Sequence, residues 1–99
     1  MRRVQWSNSA IDDIEDQAVY IALDNPVAAR QVSKRLRETG NALGTFATGH
    51  PGRVSGTYEK SVARLPYVII YALTDNDTAV TILQVIHTAR NWPQEGPTE

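Results

Sequence analysis

Two apolar runs separated by a short polar turn dominate the second half of the chain. Residues 67–73 are apolar throughout, and residues 79–87 are apolar at most positions. Asp75, Asn76 and Asp77, which lie between them, are residue types that favour turns. Runs of this length that are apolar on both faces are typical of central strands with one face packed on helices. The pattern therefore predicts a β-hairpin at the centre of the fold.

Upstream, two stretches repeat with the period of an α-helix and predict a helical hairpin. The first begins after Ser7 or Ser9, either of which is a favoured N-cap residue. The second begins at Pro26, with Asp24 or Asn25 as its cap, and we expect Gly40 to weaken its last turn. The connection between the helices, around residues 24–25, is so short that the two helices must be antiparallel neighbours. Their apolar faces consist of Ile11, Ile14, Ala18 and Ile21 in the first helix and Ala29, Val32, Leu36 and Leu43 in the second.

Two shorter strands complete the predicted fold. Residues 2–6 and 57–63 alternate in polarity, and residues 44–56 form a loop with four glycines and a proline. The predicted order is β-α-α-β-β-β, an α+β fold in which a small antiparallel sheet packs against a two-helix hairpin. A chain of 99 residues has room for one domain, which we place at residues 1–93, followed by a flexible tail at residues 94–99.

Composition excludes several classes of protein. The chain contains no cysteine, which excludes a disulfide scaffold, a thiolate metal site and a cysteine nucleophile. The first ten residues lack the apolar run of a signal peptide, and no apolar run is long enough to span a bilayer. We therefore expect a cytoplasmic protein without a membrane partner.

Charge is segregated along the chain although the net charge is only −1. Residues 1–25 carry five acids and two bases, whereas residues 26–65 carry seven bases and two acids. Within the second helix Arg30, Lys34 and Arg37 lie at i, i+4 and i+7, which places them in one basic stripe. This stripe is either a simple solvated face or a surface for an acidic partner.

No strong enzyme motif is present, and the sequence predicts neither a metal nor a cofactor. It lacks a phosphate-binding glycine loop, a cluster of metal ligands and a nucleophile elbow. His87 is the best single candidate, because a histidine where a central strand meets solvent can act as a general acid–base or bind phosphate. The alternative is that His87 packs beside Trp92 and hydrogen-bonds the backbone.

Cationic and aromatic side chains near His87 suggest a nucleic-acid site. Lys60 and Arg64 share strand parity, so we expect them on one side of the sheet, with Arg90 in the segment that follows the last strand. Together with His87 these cations are suited to holding RNA or DNA phosphates. Tyr58, Tyr67 or Trp92 would stack on bases, unless the tyrosines simply pack in the core.

The segments GHPGRVSGTYE, LPYVIIYAL and ILQVIHTARNWP, in this order and spacing, resemble toxins of the ParE/RelE superfamily. The resemblance covers residues 4–93. It implies a toxin of a bacterial type II toxin–antitoxin module, with the RelE/ParE-like fold, held silent by a cognate antitoxin. The RelE branch cleaves mRNA on the ribosome without a metal, by means of lysines and arginines. The ParE branch instead poisons DNA gyrase and lacks those basic residues.

Three positions distinguish the branches in this sequence. Where the RelE branch has two lysines and an arginine, this chain has Glu59, Ser61 and Val68. A further arginine of that branch, which follows the last strand, has only Arg90 near it, out of register by about one residue. The resemblance therefore favours the ParE branch, with growth inhibition through DNA gyrase. The alternative is a ribosome-dependent mRNA interferase that acts on translated mRNA with a divergent site built from Lys60, Arg64, His87 and Arg90.

The resemblance also implies two binding surfaces. The target surface would comprise Tyr58, His87, Arg90 and Trp92. The antitoxin would wrap the helical hairpin over Arg30, Lys34 and Arg37 and add to the sheet, which gives a toxin–antitoxin hetero-oligomer. A third hypothesis is an antitoxin-binding module that has lost its toxicity.

Overall fold

The structure is a computed structural model, and it describes residues 1–89. Its elements are β1 (Arg3–Trp6), α1 (Asn8–Ala22), α2 (Pro26–Ala42), β2 (His50–Pro51), β3 (Tyr58–Ser61), β4 (Tyr67–Thr74) and β5 (Ala79–His87). This confirms the predicted α+β fold and its element order, with one addition, because the predicted loop contains the two-residue strand β2. Arg90, Trp92 and the predicted tail at residues 94–99 lie outside the described residues.

The five strands form one sheet in the order β1-β5-β4-β3-β2. The sheet is mixed rather than wholly antiparallel, because β1 pairs in parallel with β5, with Arg3 opposite Ala79 and Trp6 opposite Ile82. Adjacent strands joined by short turns are antiparallel, but β1 and β5 are separated by the rest of the fold, so no turn sets their relative direction. Sequence periodicity carries no information about such a non-local pairing.

Polar caps fix where both helices begin. Ser7 Oγ accepts the backbone N–H of Ala10 at 3.0 Å, and Asn25 Oδ1 accepts the backbone N–H of Ala28 at 3.0 Å. Ser7 and Asn25 are therefore the caps among the predicted alternatives. Pro26 follows as the first residue of α2, where its missing N–H costs nothing.

The core lies between the helical hairpin and one face of β4 and β5. Leu36 on α2 and Ile69, Tyr71 and Ile82 on the strands are fully buried. Ile69 and Tyr71 alternate with half-buried neighbours along β4, so one face of the hairpin meets the helices as predicted. Burying these side chains supplies the main drive to fold, at about 2 kcal/mol for each.

Gly40 sets the distance between α2 and the sheet. A Cβ atom at this position would lie 2.5 Å from the Trp6 ring and 2.8 Å from Ile82 Cδ1, which is closer than real Cβ contacts. The next residue, Asn41, accepts a hydrogen bond from Trp6 Nε1 at 2.9 Å. The helix also continues through Gly40 to Ala42. Gly40 is therefore required for close packing, and the expected weakening of the last turn of α2 at this residue is not seen.

A β-bulge in β5 fastens α1 to the sheet. Ile70 pairs with Gln84 but Tyr71 pairs with Ile82, so Leu83 is the extra residue. Ser7 Oγ donates to the Leu83 carbonyl at 2.9 Å, and the Val85 N–H donates to Asp13 Oδ2 at 2.8 Å.

The charged form of the Asp13 carboxylate is destabilised at this contact. Burial raises its pKa, the bond from the Val85 N–H lowers it, and repulsion by Asp16 and Asp12 raises it again, with a net upward shift. Because the folded-state pKa is above the unfolded value, this group favours folding at low pH. That contribution is lost as pH rises through the folded-state pKa.

We predict that Gly40→Ala lowers the free energy of unfolding by about 1–3 kcal/mol, because the added methyl group overpacks the contact with Trp6. Helix propensity alone predicts the opposite sign, since alanine favours a helix interior over glycine by about 1 kcal/mol. Urea unfolding measures the change, with Gln31→Ala on the exposed side of α2 as the control. A variant that is more stable than the natural chain would contradict the tight packing.

We predict that Asp13→Asn is more stable than the natural chain at pH 7, because an amide oxygen accepts the Val85 N–H without a desolvated charge. The difference shrinks as pH falls and Asp13 becomes protonated. Asp13→Ala leaves the Val85 N–H without its acceptor and costs about 1–3 kcal/mol. Thermal unfolding from pH 3 to 8 measures both. An Asp13→Ala variant as stable as the natural chain would show that the bond is unimportant, and an Asp13→Asn variant less stable than the natural chain at pH 7 would contradict the cost of the charge.

Candidate target-binding and partner-binding surfaces

His87 is buried at the end of β5, where we expected its side chain to enter solvent. Its ring stands edge-on to Tyr67, with 5.1 Å between the ring centroids and 85° between the planes. Its Nδ1 accepts the backbone N–H of Ala89 at 3.1 Å. The side chain thus packs on an aromatic ring and bonds the backbone, as in the alternative reading, with Tyr67 as its described aromatic neighbour.

Tyr67 extends this contact to the first helix. Its hydroxyl donates to Gln17 Oε1 at 3.2 Å, and both residues are buried. Gln17, Tyr67 and His87 therefore form a buried polar chain from α1 through β4 to the end of β5. These contacts hold the last described turn of backbone in place. The predicted role of His87 in catalysis or target binding stays a prediction.

Arg64 lies near His87, but Lys60 does not share its surface. Arg64 is exposed in the connection between β3 and β4, with a positive φ of 66°. In the same connection the Pro66 carbonyl accepts the Thr88 N–H at 2.9 Å, which brings the end of β5 to this corner. Lys60 instead lines a groove between β3 and α2 that Phe46 also borders. Since β3 ends at Ser61, strand parity does not extend to Arg64, and the expected common face of the two cations is not formed.

Tyr58 is half-buried and packs one face of its ring against the core. It stacks on Tyr71, with 5.4 Å between the centroids and 23° between the planes. Tyr71 is fully buried and donates its hydroxyl to the Thr48 carbonyl at 2.7 Å. Tyr58 is therefore an edge of the core, and its predicted role in target binding stays a prediction.

The three positions that distinguish the branches lie on the sheet face away from the helices. Glu59 is buried and its Oε2 accepts the Arg53 backbone N–H at 2.9 Å, which fixes the preceding loop. Ser61 pairs in register with Val68, which pairs in turn with Ile86. Across β3, β4 and β5 this row therefore reads serine, valine and isoleucine, with no cation in it.

Arg35 is a cation at this corner that sequence analysis missed. Its Nη1 donates to the Ala63 carbonyl at 3.1 Å, one residue before Arg64. Sequence spacing assigned Arg30, Lys34 and Arg37 to one stripe, and Arg35 falls just outside it. Only the packing of α2 against the β3–β4 connection shows that this side chain points toward the sheet.

The basic stripe borders a groove between the two helices. Arg30, Lys34 and Arg37 are exposed, and the groove has a volume of about 620 Å³. Lys34 lies 3.9 Å from Glu38 on its own helix, a solvent-exposed pair that contributes little stability. The remaining lining is mostly small and apolar, and consists of Ala18, Val19, Ala22, Pro26, Ala29 and Ser33. The groove is thus apolar along its floor and positive along one side.

Neither metal binding nor membrane insertion is indicated by the described residues. Within residues 1–89, no three histidine or acidic side chains converge in a way that would hold a metal ion. In the same region no helix has the length and hydrophobicity to cross a membrane.

Comparison with known proteins places the chain in a family. The sequence model described as "ParE toxin of type II toxin-antitoxin system, parDE" matches residues 4–92. The chain belongs to the ParE toxin family. A putative toxin from Sinorhizobium fredii, Y4kP, is 35% identical over 94 residues, which cover 94% of this chain and 95% of that protein.

Solved structures support the ParE/RelE fold. A chain of the chromosomal ParDE system from P. aeruginosa has a TM-score of 0.79 at 21% identity, covering 88% of this chain and 96% of its own. A chain of the RelBE2 toxin–antitoxin complex from Mycobacterium tuberculosis has a TM-score of 0.54 at 23% identity, covering 87% and 96%. At these identities the likeness shows the fold, and the family assignment rests on the sequence match.

We predict that His87→Ala destabilises this ParE-family chain by about 2–4 kcal/mol, because it empties a packed position against Tyr67. His87→Phe keeps an aromatic ring against Tyr67 and removes the acceptor for the Ala89 N–H, so we expect a smaller loss than for alanine. Chemical denaturation distinguishes the two variants. If His87→Ala is as stable as the natural chain, the side chain is not a packing residue and its chemistry has to be reconsidered.

Proposed function

We propose that this ParE-family toxin inhibits growth by poisoning DNA gyrase and acts by binding rather than by cleaving RNA. The observation that carries the proposal is the uncharged row of Ser61, Val68 and Ile86 on the sheet face away from the helices. Metal-independent RNA cleavage needs groups that remove the 2′-hydroxyl proton and stabilise the phosphate, and loss of either costs orders of magnitude in rate. Glu59 beside this row adds an acid where phosphate would sit.

The test compares gyrase and translation directly. Purified toxin is expected to inhibit the supercoiling of relaxed plasmid by gyrase and ATP, and to trap cleaved plasmid in the same reactions. The same preparation is expected to leave toeprints on translated mRNA unchanged. Inhibition of translation with mRNA cleavage, and no effect on gyrase at micromolar concentration, would overturn the proposal.

A ribosome-dependent mRNA interferase is the second candidate, and one observation favours it. Arg35 donates to the Ala63 carbonyl, one residue before Arg64, in the connection whose Pro66 carbonyl accepts the Thr88 N–H at the end of β5. This connection therefore brings two arginines to the corner of the sheet where β5 ends. In that case Arg35→Gln with Arg64→Asn abolishes toxicity and mRNA cleavage together, whereas a gyrase poison need not respond. Asparagine is chosen at residue 64 because it tolerates positive φ better than most residues.

The hairpin groove is the proposed antitoxin site. An amphipathic segment with acidic residues along one side would fill the apolar floor and face Arg30, Lys34 and Arg37. Such a partner, with a further strand added to a sheet edge, gives a toxin–antitoxin hetero-oligomer. Both the gyrase and the ribosome targets place the protein in the cytoplasm.

We predict that Lys34→Glu with Arg37→Glu weakens binding of the antitoxin by at least about 10-fold, because each reversal replaces attraction by repulsion. The partner to use is the small protein encoded beside this chain's gene, with binding measured by calorimetry. Thr45→Glu with Gln84→Glu changes the net charge by −2 rather than −4 at exposed positions outside the groove and off the edge strands, and controls for a non-specific effect of negative charge. Unchanged affinity for the hairpin variant would place the antitoxin elsewhere.

Expression without the antitoxin tests the remaining hypothesis, an antitoxin-binding module that has lost its toxicity. Normal growth of cells that accumulate folded protein would favour that module over both toxin mechanisms. Arrested growth would reject it.

A further inference from the structure

The outer face of the helical hairpin carries two exposed stripes of opposite charge. Each stripe recurs at spacings of three and four residues, so its members lie on one side of the helix. The α1 stripe comprises Asp12, Asp16, Val19 and, directly after the helix, Leu23. The α2 stripe comprises Val27, Arg30, Lys34 and Arg37. All eight residues are exposed.

Because α1 and α2 are antiparallel, corresponding parts of the two stripes lie side by side along the helix axes. Both begin with an apolar residue at the short connection, Leu23 on one side and Val27 on the other. Both become charged toward the opposite end of the hairpin, where α1 is acidic and α2 is basic. Residues of both helices line the groove between the stripes. The hairpin therefore has an apolar tip and, at its base, an acidic and a basic side.

These charges are not neutralised within the described part of the fold. In residues 1–89 the hairpin's one ion pair joins Lys34 to Glu38, at 3.9 Å and in solvent. Asp12, Asp16 and Arg37 form no ion pair there. Within residues 1–89, an acidic row without ion pairs thus lies beside a basic row whose one ion pair is exposed to solvent, and such a face is able to attract an identical face.

The apolar tip is exposed to solvent. Val19 is 65% exposed, Leu23 79% and Val27 53%. Contiguous apolar side chains in solvent are typical of an interaction surface. The tip and the charged base together form a helix face with the composition of a small interface.

We propose that a second copy of this chain docks on this face, giving a symmetric dimer in which α1 of each copy lies over α2 of the other. A two-fold axis parallel to the helices produces this arrangement. It leaves each residue of the second copy at the same position along the helix axis as in the first. Asp12 and Asp16 then face Lys34 and Arg37 of the other copy, and the apolar tips meet. A two-fold axis across the helices would instead place each acidic row on an apolar tip, so charge selects the first arrangement.

The contact is small, which makes the dimer weak. A helix of 17 residues is about 25 Å long, and two helices about 10 Å apart give a face of roughly 500 Å² on each copy. The two copies together would bury roughly 1,000 Å², which lies at the low end for specific protein interfaces, where association is transient. We therefore expect monomer and dimer to exchange, with the dimer favoured at low salt.

The dimer covers the groove assigned above to the antitoxin, a consequence that rests on the proposed function. The α1 stripe is itself an acidic, amphipathic helix face, which is the chemistry inferred for the antitoxin segment. Self-association and antitoxin binding are then mutually exclusive. The dimer itself depends only on the hairpin and stands whether the toxin acts on gyrase or on mRNA.

Charge reversal in two matched variants tests the dimer. The first variant carries Asp12→Lys and Asp16→Lys, and the second carries Lys34→Glu and Arg37→Glu. Each variant alone juxtaposes like charges at both symmetric contacts, so each is expected to be monomeric. An equimolar mixture restores opposite charges at both contacts and is expected to form a heterodimer. Recovery in the mixture also demonstrates that both variants are folded.

Sedimentation velocity of the free full chain provides the readout. The natural chain is expected to dimerise with rising concentration, and its dissociation constant is expected to increase at least about 10-fold between about 0.05 M and 1 M salt. Gln5→Lys with Gln84→Lys adds charge to the strands and is expected to dimerise like the natural chain.

Three results would overturn the proposal: a natural chain that is monomeric throughout, variants that dimerise as well as the natural chain, or a mixture that stays monomeric. None of these affects gyrase inhibition or antitoxin binding, which are measured separately. Conversely, a chain that dimerises through the hairpin but has no effect on gyrase would reject the proposed target and leave the dimer standing.

Discussion

The structure depends on how closely the helical hairpin approaches the sheet. Gly40 allows α2 to rest on Trp6 and Ile82, where a single methyl group would collide. Ser7 and Asp13 hold α1 to the bulge in β5 through its carbonyl and N–H groups. The hairpin is therefore held to the sheet at two places. At Gly40 the missing side chain allows close packing, and at the bulge hydrogen bonds join the helix to the strand. Between them lie the fully buried side chains of β4 and β5, and the outer face of the hairpin is left for partners.

Local patterning predicted most of the fold. The apolar runs at residues 67–73 and 79–87, the caps at Ser7 and Asn25 and the helical periods are local signals, and each is found in the structure. The parallel pairing of β1 with β5 was missed because it joins segments more than 70 residues apart. The bulge at Leu83 was missed for a related reason, since its two partners come from another element. The bulge also explains the position of Asp13, whose carboxylate accepts the Val85 N–H beside it.

The candidate site was harder to predict than the fold. His87 looked solvent-facing because the strand ends there, but Tyr67 covers it from the neighbouring strand. Lys60 and Arg64 looked equivalent by parity, but β3 ends at Ser61 and Arg64 itself has a positive φ. Arg35 was overlooked because its role depends on a carbonyl from a distant turn. In each case the deciding contact is tertiary. By contrast, the absence of cations at Ser61 and Val68 was visible in the sequence, and the register shows that both belong to one uncharged row.

That uncharged row is why the account favours a gyrase poison over a ribonuclease within the ParE family. The most direct measurement is the capture of covalent gyrase–DNA complexes from cells that express the chain without its antitoxin. The account predicts that gyrase subunits become linked to DNA soon after induction, while translated mRNAs stay intact. Cleaved mRNA with no increase in gyrase-linked DNA would contradict it.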